Sequence, residues 1–292
     1  MDEAPVSRTL PLPGGGALPA FGLGTWRMGE DTGRRSAEVA AVRDAIALGY
    51  RLIDTAEMYG EGGAETVVGQ AVAEALRAGD VAREALTVVS KVYPHNASLR
   101  GTIAACDRSR QRLGLDRIDV YLLHWRGEHP LADTAAAMQA LAADGRIGHW
   151  GVSNFDVDDL DQLRQATDAA GPACATNQVY FSLGERGVEV ALLPWMQRQG
   201  LPLMAYSPVD QGTLAHSKAL AAIGEPLGLS AAQLALAWVL SRPGVCAIPK
   251  AVRPQHLRDN LAAARVTLDA GTLAAIDRAF APPTRRTPLA MT

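Results

Sequence analysis

The sequence predicts an α/β fold, a single (β/α)8 TIM barrel with a short N-terminal hairpin and an irregular C-terminal tail. Its length of 292 residues suits one large domain, because α/β barrels commonly form from about 250 residues. Short apolar runs alternate along the chain with longer stretches of helical periodicity, and this alternation indicates parallel strands joined by right-handed helical crossovers. No linker or shift in composition divides the chain, so we expect one domain over residues 1–292.

The first predicted element is a hairpin, because apolar residues flank a glycine turn between Leu10 and Pro19. The three glycines of this turn, Gly14–Gly16, also suggest a phosphate-binding loop. That alternative is the weaker one, since the GxxxxGK[ST] motif is missing and no strand precedes the glycines.

Eight short apolar runs follow the hairpin, and each is predicted to be a strand. These runs are Phe21–Gly24, Tyr50–Ile53, Leu86–Val89, Val120–Leu123, Gly148–Val152, Ala173–Thr176, Leu201–Ala205 and Val245–Ile248. Helical periodicity covers Ala37–Leu48, Ala64–Ala78, Ile103–Leu113, Thr134–Ala143, Asp158–Ala169, Val188–Gln199, Ala231–Leu240 and Gln255–Ala264. Eight such strand–helix units close most naturally into a barrel.

An open doubly wound sheet is the alternative architecture for alternating strands and helices. Such a sheet usually carries a GxGxxG turn after its first strand, where a dinucleotide binds. In this chain Gly22 and Gly24 are followed by Thr25, Trp26 and Arg27, so the motif is incomplete. The barrel is therefore the better prediction.

Composition and charge exclude several classes of partner. Lys and Arg number 28 against 31 Asp and Glu, a net charge of −3 without a basic block, so we expect no nucleic-acid or membrane partner. The N-terminus has no apolar signal region, and the three cysteines, Cys106, Cys174 and Cys246, are too far apart for a zinc or redox motif. The histidines show no HxxxH or HxH spacing, so we expect no metal. These features predict a cytoplasmic protein, which we expect to be a monomer.

Polar side chains end nearly all of the predicted strands. In a (β/α)8 barrel the active site lies at the carboxyl ends of the strands, so these side chains are candidates for chemistry. They are Asp54 with Tyr59 in its loop, Ser90 and Lys91, His124, Ser153 and Asn154, Asn177 and Gln178, Tyr206 and Ser207, and Lys250. Each one alone has an equally good explanation as a packing residue, but the series as a whole is hard to explain by packing.

Four of these residues make chemical sense as a group. A tyrosine phenol is a weak acid with a pKa of about 10, and a cationic Lys91 beside Tyr59 would lower that pKa. Asp54 would keep Lys91 charged, and a neutral His124 would hydrogen-bond a substrate carbonyl beside the phenol. The four side chains cannot supply an electron pair, so the sequence indicates a bound redox cofactor.

Three segments that contain these residues resemble the catalytic segments of the aldo-keto reductases. The segments are Leu52–Gly60, Val89–Val92 and Tyr121–Trp125. The resemblance extends in order from Gly22 to about Phe280. It implies that Tyr59 is the general acid, that Asp54 and Lys91 tune it, and that His124 orients the carbonyl.

Other segments are similar to the family's nicotinamide-cofactor segments, and they imply NADPH as the cofactor. These segments are Gly151–Phe155, Thr176–Gln178, Ala205–Pro208 and Ile248–Lys250. The resemblance places Tyr206 against the nicotinamide ring and Lys250 at the 2′-phosphate. The cofactor contacts that it implies are Gly24, Thr25, Trp26, Ser153, Asn154, Gln178, Tyr206, Ser207, Pro208, Lys250, His256 and Asn260.

The chain departs from the family pattern at His256. The family commonly has an arginine six residues after the lysine that corresponds to Lys250. Histidine carries less charge near neutral pH and lacks the guanidinium fork, although Arg253 and Arg258 lie close in sequence and offer replacements. We therefore expect NADPH to be preferred over NADH by a smaller margin.

The resemblance also outlines the substrate. It implies a pocket lined by Trp26, Met58, Tyr93 and Trp125, although Trp26 and Trp125 could also simply be packed at the barrel mouth. The loop after His124 is short, which favours small aldehydes and α-dicarbonyls over steroids. The segments Gly24–Glu30, Glu57–Glu65 and Val89–Pro94 are similar to a bacterial subgroup that includes methylglyoxal reductase. The proline-containing stretch Ala281–Thr292 is predicted to lack secondary structure, and it either closes over this pocket or is disordered.

A binding or regulatory protein is the alternative function. Some potassium-channel β subunits resemble this family, keep the barrel and the cofactor, and act as partners with little turnover. The presence of all four residues Asp54, Tyr59, Lys91 and His124 favours the enzyme. Turnover of any aldehyde with NADPH distinguishes the two functions.

Overall fold

An antiparallel hairpin opens the described part of the chain. The computed structural model describes residues 8–167 and 171–292. Strand β1 (Thr9–Pro11) pairs with β2 (Ala17–Pro19), and the glycines between them all have positive φ. Leu10 and Leu18 are buried against side chains of the barrel interior, such as Val89 and Met204. The predicted hairpin is confirmed, and it closes the amino end of the barrel.

Within the described residues, eight strands form one sheet in which every neighbouring pair is parallel. They are β3 (Leu23–Gly24), β4 (Leu52–Asp54), β5 (Thr87–Val92), β6 (Ile118–Leu123), β7 (Ile147–Ser153), β8 (Cys174–Tyr180), β9 (Leu203–Tyr206) and β10 (Val245–Ala247). The sheet closes because Phe21 bridges Ala247 and Gly24 bridges Lys250, again in parallel. The predicted (β/α)8 fold is confirmed.

Helices cover the outside of the sheet. They are α1 (Arg35–Ala47), α2 (Gly63–Ala78), α3 (Leu99–Leu113), α4 (Leu131–Ala143), α5 (Val157–Ala166), α6 (Leu192–Arg198), α7 (Lys218–Gly224), α8 (Ala231–Leu240), α9 (Pro254–Ala263) and α10 (Ala270–Ala279). Side-chain caps fix several helix starts: Ser98, Asp156, Ser230 and Asp269 each accept a hydrogen bond from a backbone N–H of the first turn.

Four helical segments differ clearly from the sequence prediction. The helix predicted over Val188–Gln199 is shorter, because a 3-10 turn at Gly187–Glu189 precedes α6. The helix predicted over Asp158–Ala169 corresponds to α5, and residues 168 and 169 lie outside the described residues. Helices α7 and α10 were not predicted at all.

Among the described residues, no single helix is long and apolar enough to span a membrane. One bent pair of helical segments, Lys218–Leu227 and Ala231–Leu240, reaches the required length and apolar composition when taken together, with an angle of 82° between the two.

The C-terminal stretch Ala281–Thr292 has no helix or strand, as predicted. Arg286 forms ion pairs with Asp156 and Asp158 at the start of α5, and Leu289 packs against the main hydrophobic core. The last two residues, Met291 and Thr292, line the large cavity at the barrel mouth. Of the two alternatives for this stretch, the structure therefore shows the one in which it reaches over the pocket.

Candidate active site

A cavity of about 820 Å3 opens at the carboxyl ends of the strands. Most of the residues singled out from the sequence line it: Gly24, Trp26, Asp54, Met58, Tyr59, His124, Trp125, Ser153, Asn154, Gln178, Tyr206, Ser207, Pro208, Lys250, His256 and Asn260. Because the strands run parallel and in chain order, residues that are far apart in sequence meet at this one end of the barrel. The structure thus brings nearly all of the predicted site together.

Five of the candidate residues lie outside the cavity lining, and two of them, Ser90 and Asn177, are fully buried strand residues. Lys91 is fully buried beneath Tyr59, and Thr25 is buried with its hydroxyl donating to the Asp54 carbonyl at 2.9 Å. Tyr93 stands edge-on against Trp125, with ring centroids 5.9 Å apart. Tyr93 therefore packs against Trp125 from outside the lining.

Lys91 connects the charged residues of the site. Its Nζ lies 2.7 Å from Asp54 Oδ2, 2.9 Å from the Thr55 carbonyl oxygen and 3.1 Å from Tyr59 Oη. An ammonium group has three N–H donors, and these three acceptors use all of them. Because Tyr59 Oη accepts from Lys91, the O–H of Tyr59 is left to point into the cavity.

The pKa of Tyr59 lies well above its usual value near 10, because its surroundings are desolvated and Asp54 is negatively charged nearby. This direction corrects the sequence prediction, in which Lys91 alone set a lowered pKa. Burial also raises the pKa of Asp54 and lowers that of Lys91, while the attraction between the two opposes both shifts. Tyr59 is therefore protonated near neutral pH, and this is the form that a proton donor needs.

His124 is the second polar group beside Tyr59. Its ring meets the Tyr59 ring nearly edge-on, with centroids 5.7 Å apart, and only 7% of the residue is exposed. Burial and the nearby charge of Lys91 hold the pKa of His124 well below 6.5, so the imidazole is neutral near pH 7. Its Nδ1 has no hydrogen-bond partner among the described residues. A neutral imidazole has one N–H to donate.

An ordered group of amides and a tyrosine forms the next part of the wall. Gln178 Nε2 donates to Asp54 Oδ1 at 2.7 Å, and the Tyr206 hydroxyl donates to Asn154 Oδ1 at 2.9 Å. Asn154 Nδ2 donates in turn to the His124 carbonyl at 3.1 Å. Tyr206 stacks on Tyr180 with centroids 5.7 Å apart and an interplanar angle of 13°. The wall offers a flat aromatic ring and amide groups in fixed orientations.

Comparison with known proteins identifies the architecture. The model of the aldo/keto reductase family matches residues 20–281. The chain belongs to this family. It is 48% identical over 280 residues to the methylglyoxal reductase YeaE of Escherichia coli K12, a match that covers 94% of this chain and 95% of that protein. It is also 36% identical over 252 residues to the glyoxal reductase of Bacillus subtilis, covering 86% of this chain and 85% of that one.

Solved structures give the same result. An aldo-keto reductase from Klebsiella pneumoniae, crystallised with NADPH, superposes with a TM-score of 0.89 at 44% identity and covers 98% of this chain and 99% of its own. The thermostable aldo-keto reductase Tm1743, crystallised with the inhibitor epalrestat, gives a TM-score of 0.85 at 35% identity, with coverage of 93% and 99%. This chain is therefore an oxidoreductase of the aldo/keto reductase family.

The far end of the cavity in this reductase carries positive charge. Its cations are Lys250 and Arg27, whose guanidinium carbon lies 4.5 Å from the centroid of the Trp26 ring, and His256 and the acidic residue Asp259 line the cavity as well. Burial lowers the pKa of Lys250. The negative charges of Glu38 and Glu30 oppose this shift, and the positive charges of Arg34 and Arg27 add to it. Arg253 and Arg258, the replacements suggested by the sequence, are not among the lining residues.

Sequence reasoning missed several lining residues of the reductase. Arg27 directly follows Trp26, which the resemblance had assigned to the cofactor site, and this position in the sequence could have indicated its role. The loop after β9 contributes Val209, Gln211, Gly212 and Ala215, and helices α8 and α9 contribute Ala232, Gln233 and Asp259. The sequence of this loop marks only one of its left-handed positions, because Gly212 is a glycine whereas Ser207, Asp210 and Gln211 are not. Met291 and Thr292 were not named individually, but they belong to the tail for which closure over the pocket was one of the two predicted alternatives.

Proposed function

We propose that this enzyme reduces small aldehydes and α-dicarbonyls, such as methylglyoxal, to alcohols, with Tyr59 as the general acid. The observation that carries the proposal is the contact of Lys91 Nζ with both Asp54 and Tyr59, beside a neutral His124. The identity of 48% to a methylglyoxal reductase and of 36% to a glyoxal reductase supports the substrate class.

The cofactor of this enzyme is NADPH. The lining residues fit that group: the amides of Asn154 and Gln178 suit a carboxamide, the ring of Tyr206 suits a planar heterocycle, and a cluster of cations suits phosphates. When bound, NADPH supplies the hydride that a carbonyl carbon accepts. We propose that it is held by Gly24, Trp26, Ser153, Asn154, Gln178, Tyr206, Ser207, Pro208, Lys250, His256 and Asn260. Thr25, which the sequence also suggested as a contact, is buried outside the lining, and its hydroxyl binds the Asp54 carbonyl instead.

The proton is supplied by the protein. As negative charge develops on the carbonyl oxygen, Tyr59 donates its proton to that oxygen, and the Lys91 ammonium stabilises the phenolate that is left. Asp54 keeps Lys91 charged and oriented through the 2.7 Å contact. The neutral His124 donates a hydrogen bond to the same carbonyl oxygen and so orients the substrate before the proton moves.

Substrate size is limited by the remaining walls. Trp26, Met58 and Trp125 line the cavity beside Tyr59, and the ring of Tyr93 packs edge-on against Trp125. Met291 and Thr292 narrow the mouth. The cavity of about 820 Å3 has to hold the cofactor as well as the substrate, which leaves space for a small carbonyl compound beside the aromatic walls.

Preference for NADPH over NADH depends on the cations at the far end of the cavity. Lys250 meets the 2′-phosphate as a point charge, and His256 adds a weaker contact than an arginine would. We propose that the guanidinium group of Arg27 partly compensates for the absence of an arginine at position 256, because Arg253 and Arg258 do not line the cavity.

A screen of NADPH oxidation across small aldehydes, α-dicarbonyls and sugars tests the proposed function. The highest kcat/KM is expected for a small α-dicarbonyl or aldehyde, and the same activity should be lost in Tyr59→Phe. Tight NADPH binding without turnover of any carbonyl would favour the regulatory alternative. A clear preference for sugars would contradict the proposed substrate class.

We further propose that residues 1–292 form one domain and that the protein is a cytoplasmic monomer. The sheet draws strands from both ends of the chain, so no cut separates two cores. The exposed large apolar side chains of the described residues, Leu99, Val190, Leu227 and Met291, are spread over different elements, and all three cysteines are free. Light scattering after gel filtration tests the monomer: a mass near 30.8 kDa is expected, and twice that mass would contradict it.

A further inference from the structure

The turn that directly follows Tyr59 has an unusual backbone. Gly60, Glu61 and Gly62 all have positive φ, at 57°, 51° and 88°. Glu61 has a side chain, so this conformation is strained at that position. Such a turn persists only where its surroundings hold it in place. The contacts on its two sides therefore decide where the Tyr59 hydroxyl lies.

On one side the turn packs backbone against backbone. A Cβ added to Gly60 would lie 2.8 Å from the carbonyl carbon and oxygen of Gly29, which belongs to the loop after β3. On the other side stands the Arg112 side chain of α3. A Cβ on Gly62 would lie 2.6 Å from both Cδ and Nε of Arg112. The turn is thus enclosed between the backbone of Gly29 and the side chain of Arg112.

Arg112 also binds two buried carboxylates that flank Tyr59 in sequence. Its Nε donates to Glu65 Oε2, and a terminal nitrogen lies 3.9 Å from Glu57 Oε2. The Glu65 side chain is 0% exposed and that of Glu57 is 6% exposed, whereas that of Arg112 is 26% exposed. Arg108, which is half exposed, is a second cation near Glu57 at 3.7 Å. Glu65 has no other ion-pair partner among the described residues.

Glu57 and Glu65 both bind the segment Ser90–Tyr93, which contains Lys91. Glu65 Oε1 accepts a hydrogen bond from Ser90 Oγ, and Ser90 is the neighbour of Lys91 in β5. The Glu57 backbone N–H donates to the Lys91 carbonyl at 3.3 Å. Glu57 Oε1 accepts from the Tyr93 N–H at 2.8 Å, just after the end of β5. The network therefore joins the segment of Tyr59 to the segment of Lys91 from behind the cavity.

We propose that Arg112 is a positioning residue that, through Glu57 and Glu65, holds the Tyr59 hydroxyl against Lys91. The proposal rests on the proposed role of Tyr59 as proton donor. Arg112 itself lies outside the cavity lining and touches neither substrate nor cofactor. Without it, a buried carboxylate loses its cation, and the turn loses the side chain that encloses it. A displacement of about 1 Å at a reacting group can lower a rate by about 100-fold.

The test uses the variants Arg112→Met and Arg112→Lys in full-length enzyme with NADPH and methylglyoxal. We expect Arg112→Met to lower kcat on the order of 100-fold, with the Kd for NADPH, measured by fluorescence titration, unchanged. The solvent deuterium isotope effect on kcat should rise, because proton donation then limits the rate. Arg112→Lys should recover part of kcat, since it restores the charge but not the fork. If Arg112→Met does not fold, Glu57→Gln tests the same network and should also lower kcat without changing the NADPH Kd.

A matched control lies at the other end of the same strand. Arg83 has 25% of its side chain exposed and pairs with Asp119 at 2.8 Å, before β5 begins. Arg83→Met should lower thermal stability and leave kcat and the isotope effect unchanged. The proposal is overturned if Arg112→Met keeps kcat within about twofold of wild type, or if Arg83→Met lowers kcat equally. Tyr59→Phe in the same assay separates the two questions: if that variant retains activity, the proposed function fails whatever the Arg112 variants do.

Discussion

The loops at the two ends of the barrel use left-handed backbone in different ways. Loops that lead into the amino ends of strands place glycine there, at Gly49, Gly79, Gly114, Gly145, Gly200 and Gly244. In the described part of the chain, every non-glycine residue with positive φ follows the carboxyl end of a strand: Arg27, Glu61, Asn154, Ser207, Asp210 and Gln211. Glycine adopts this conformation without strain, whereas a side chain makes it unfavourable. The amino end is thus relaxed, and the strain is concentrated around the cavity.

Strand β5 shows the same contrast in its ion pairs. Near its amino end Arg83 pairs with Asp119 at 2.8 Å, with 25% and 14% of the side chains exposed. At its carboxyl end Lys91 pairs with Asp54 at 2.7 Å, with 0% and 2% exposed. The N–O distances of the two ion pairs are nearly equal, so the pairs differ mainly in how deeply they are buried. An ion pair near water contributes a little to stability and has no further role. A buried ion pair shifts the pKa of neighbouring groups and can take part in catalysis.

The largest expected effect is the loss of proton donation in Tyr59→Phe. We expect kcat to fall by about 10²- to 10⁴-fold, which is the usual contribution of a general acid. The Kd for NADPH should change little, because the cofactor residues keep their positions. Steady-state kinetics and fluorescence titration measure both quantities. Most of kcat surviving in this variant would remove Tyr59 from the chemistry.

A substitution at the amino end of the barrel should lower the stability of the protein and leave kcat unchanged. Leu18 in β2 is fully buried inside the barrel, so Leu18→Ala should lower the free energy of unfolding by about 2–5 kcal/mol. Its kcat, measured well below the melting temperature, should equal that of wild type, because the hairpin lies at the end remote from the cavity. Urea denaturation and kinetics on the same sample test the pair of expectations. A large loss of kcat in the folded variant would show that the two ends are not independent.

A smaller effect is expected at the cofactor phosphate. Lys250→Ala should raise the Kd for NADPH about tenfold, which corresponds to about 1.4 kcal/mol for one exposed charged contact. The Kd for NADH should change little, because NADH lacks the 2′-phosphate. Parallel titrations with the two cofactors give the comparison. Equal losses for both would place Lys250 elsewhere along the nucleotide.

The smallest effect concerns pH and stability. The pKa of His124 in the folded protein is lowered, so the unfolded chain binds a proton more readily than the native state. Its contribution to stability is therefore complete above pH 6.5 and is lost as the pH falls below that value. Between pH 6.5 and 5.5 the free energy of unfolding should fall by about 1 kcal/mol through this residue. Urea denaturation at both pH values should show a smaller decrease for His124→Phe than for wild type, and identical decreases would show that His124 titrates normally.

The sequence predicted the site well where strands set the positions and less well where loops did. Asp54, Lys91 and His124 end successive strands, so the order of the sheet was enough to group them. The loop after β9 was missed because Asp210 and Gln211 adopt a left-handed backbone that local sequence does not favour. The seven-residue helix α7 is too short to give a clear periodicity.

The sequence also failed to predict the electrostatics of the site and the contacts between residues that are far apart in the chain. The sequence placed a cation beside Tyr59 and inferred a lowered pKa, but it could not show how strongly the site is desolvated, and desolvation determines the observed direction. The contacts of Arg112 with Glu57 and Glu65 join α3 to the loop after β4 and to α2. Such pairs depend on the packing of helices around the barrel, which periodicity alone does not specify.

Neutron diffraction from crystals grown in deuterated buffer at neutral pH shows directly whether Tyr59 carries the proton, because it locates protons in the undisturbed site. We expect deuterium on Tyr59 Oη directed into the cavity, three deuterons on Lys91 Nζ directed at Asp54, Thr55 and Tyr59, and a single exchangeable deuteron on the His124 ring. A Tyr59 phenolate, or a doubly protonated His124, would contradict the assignment of Tyr59 as the proton donor and His124 as its neutral partner.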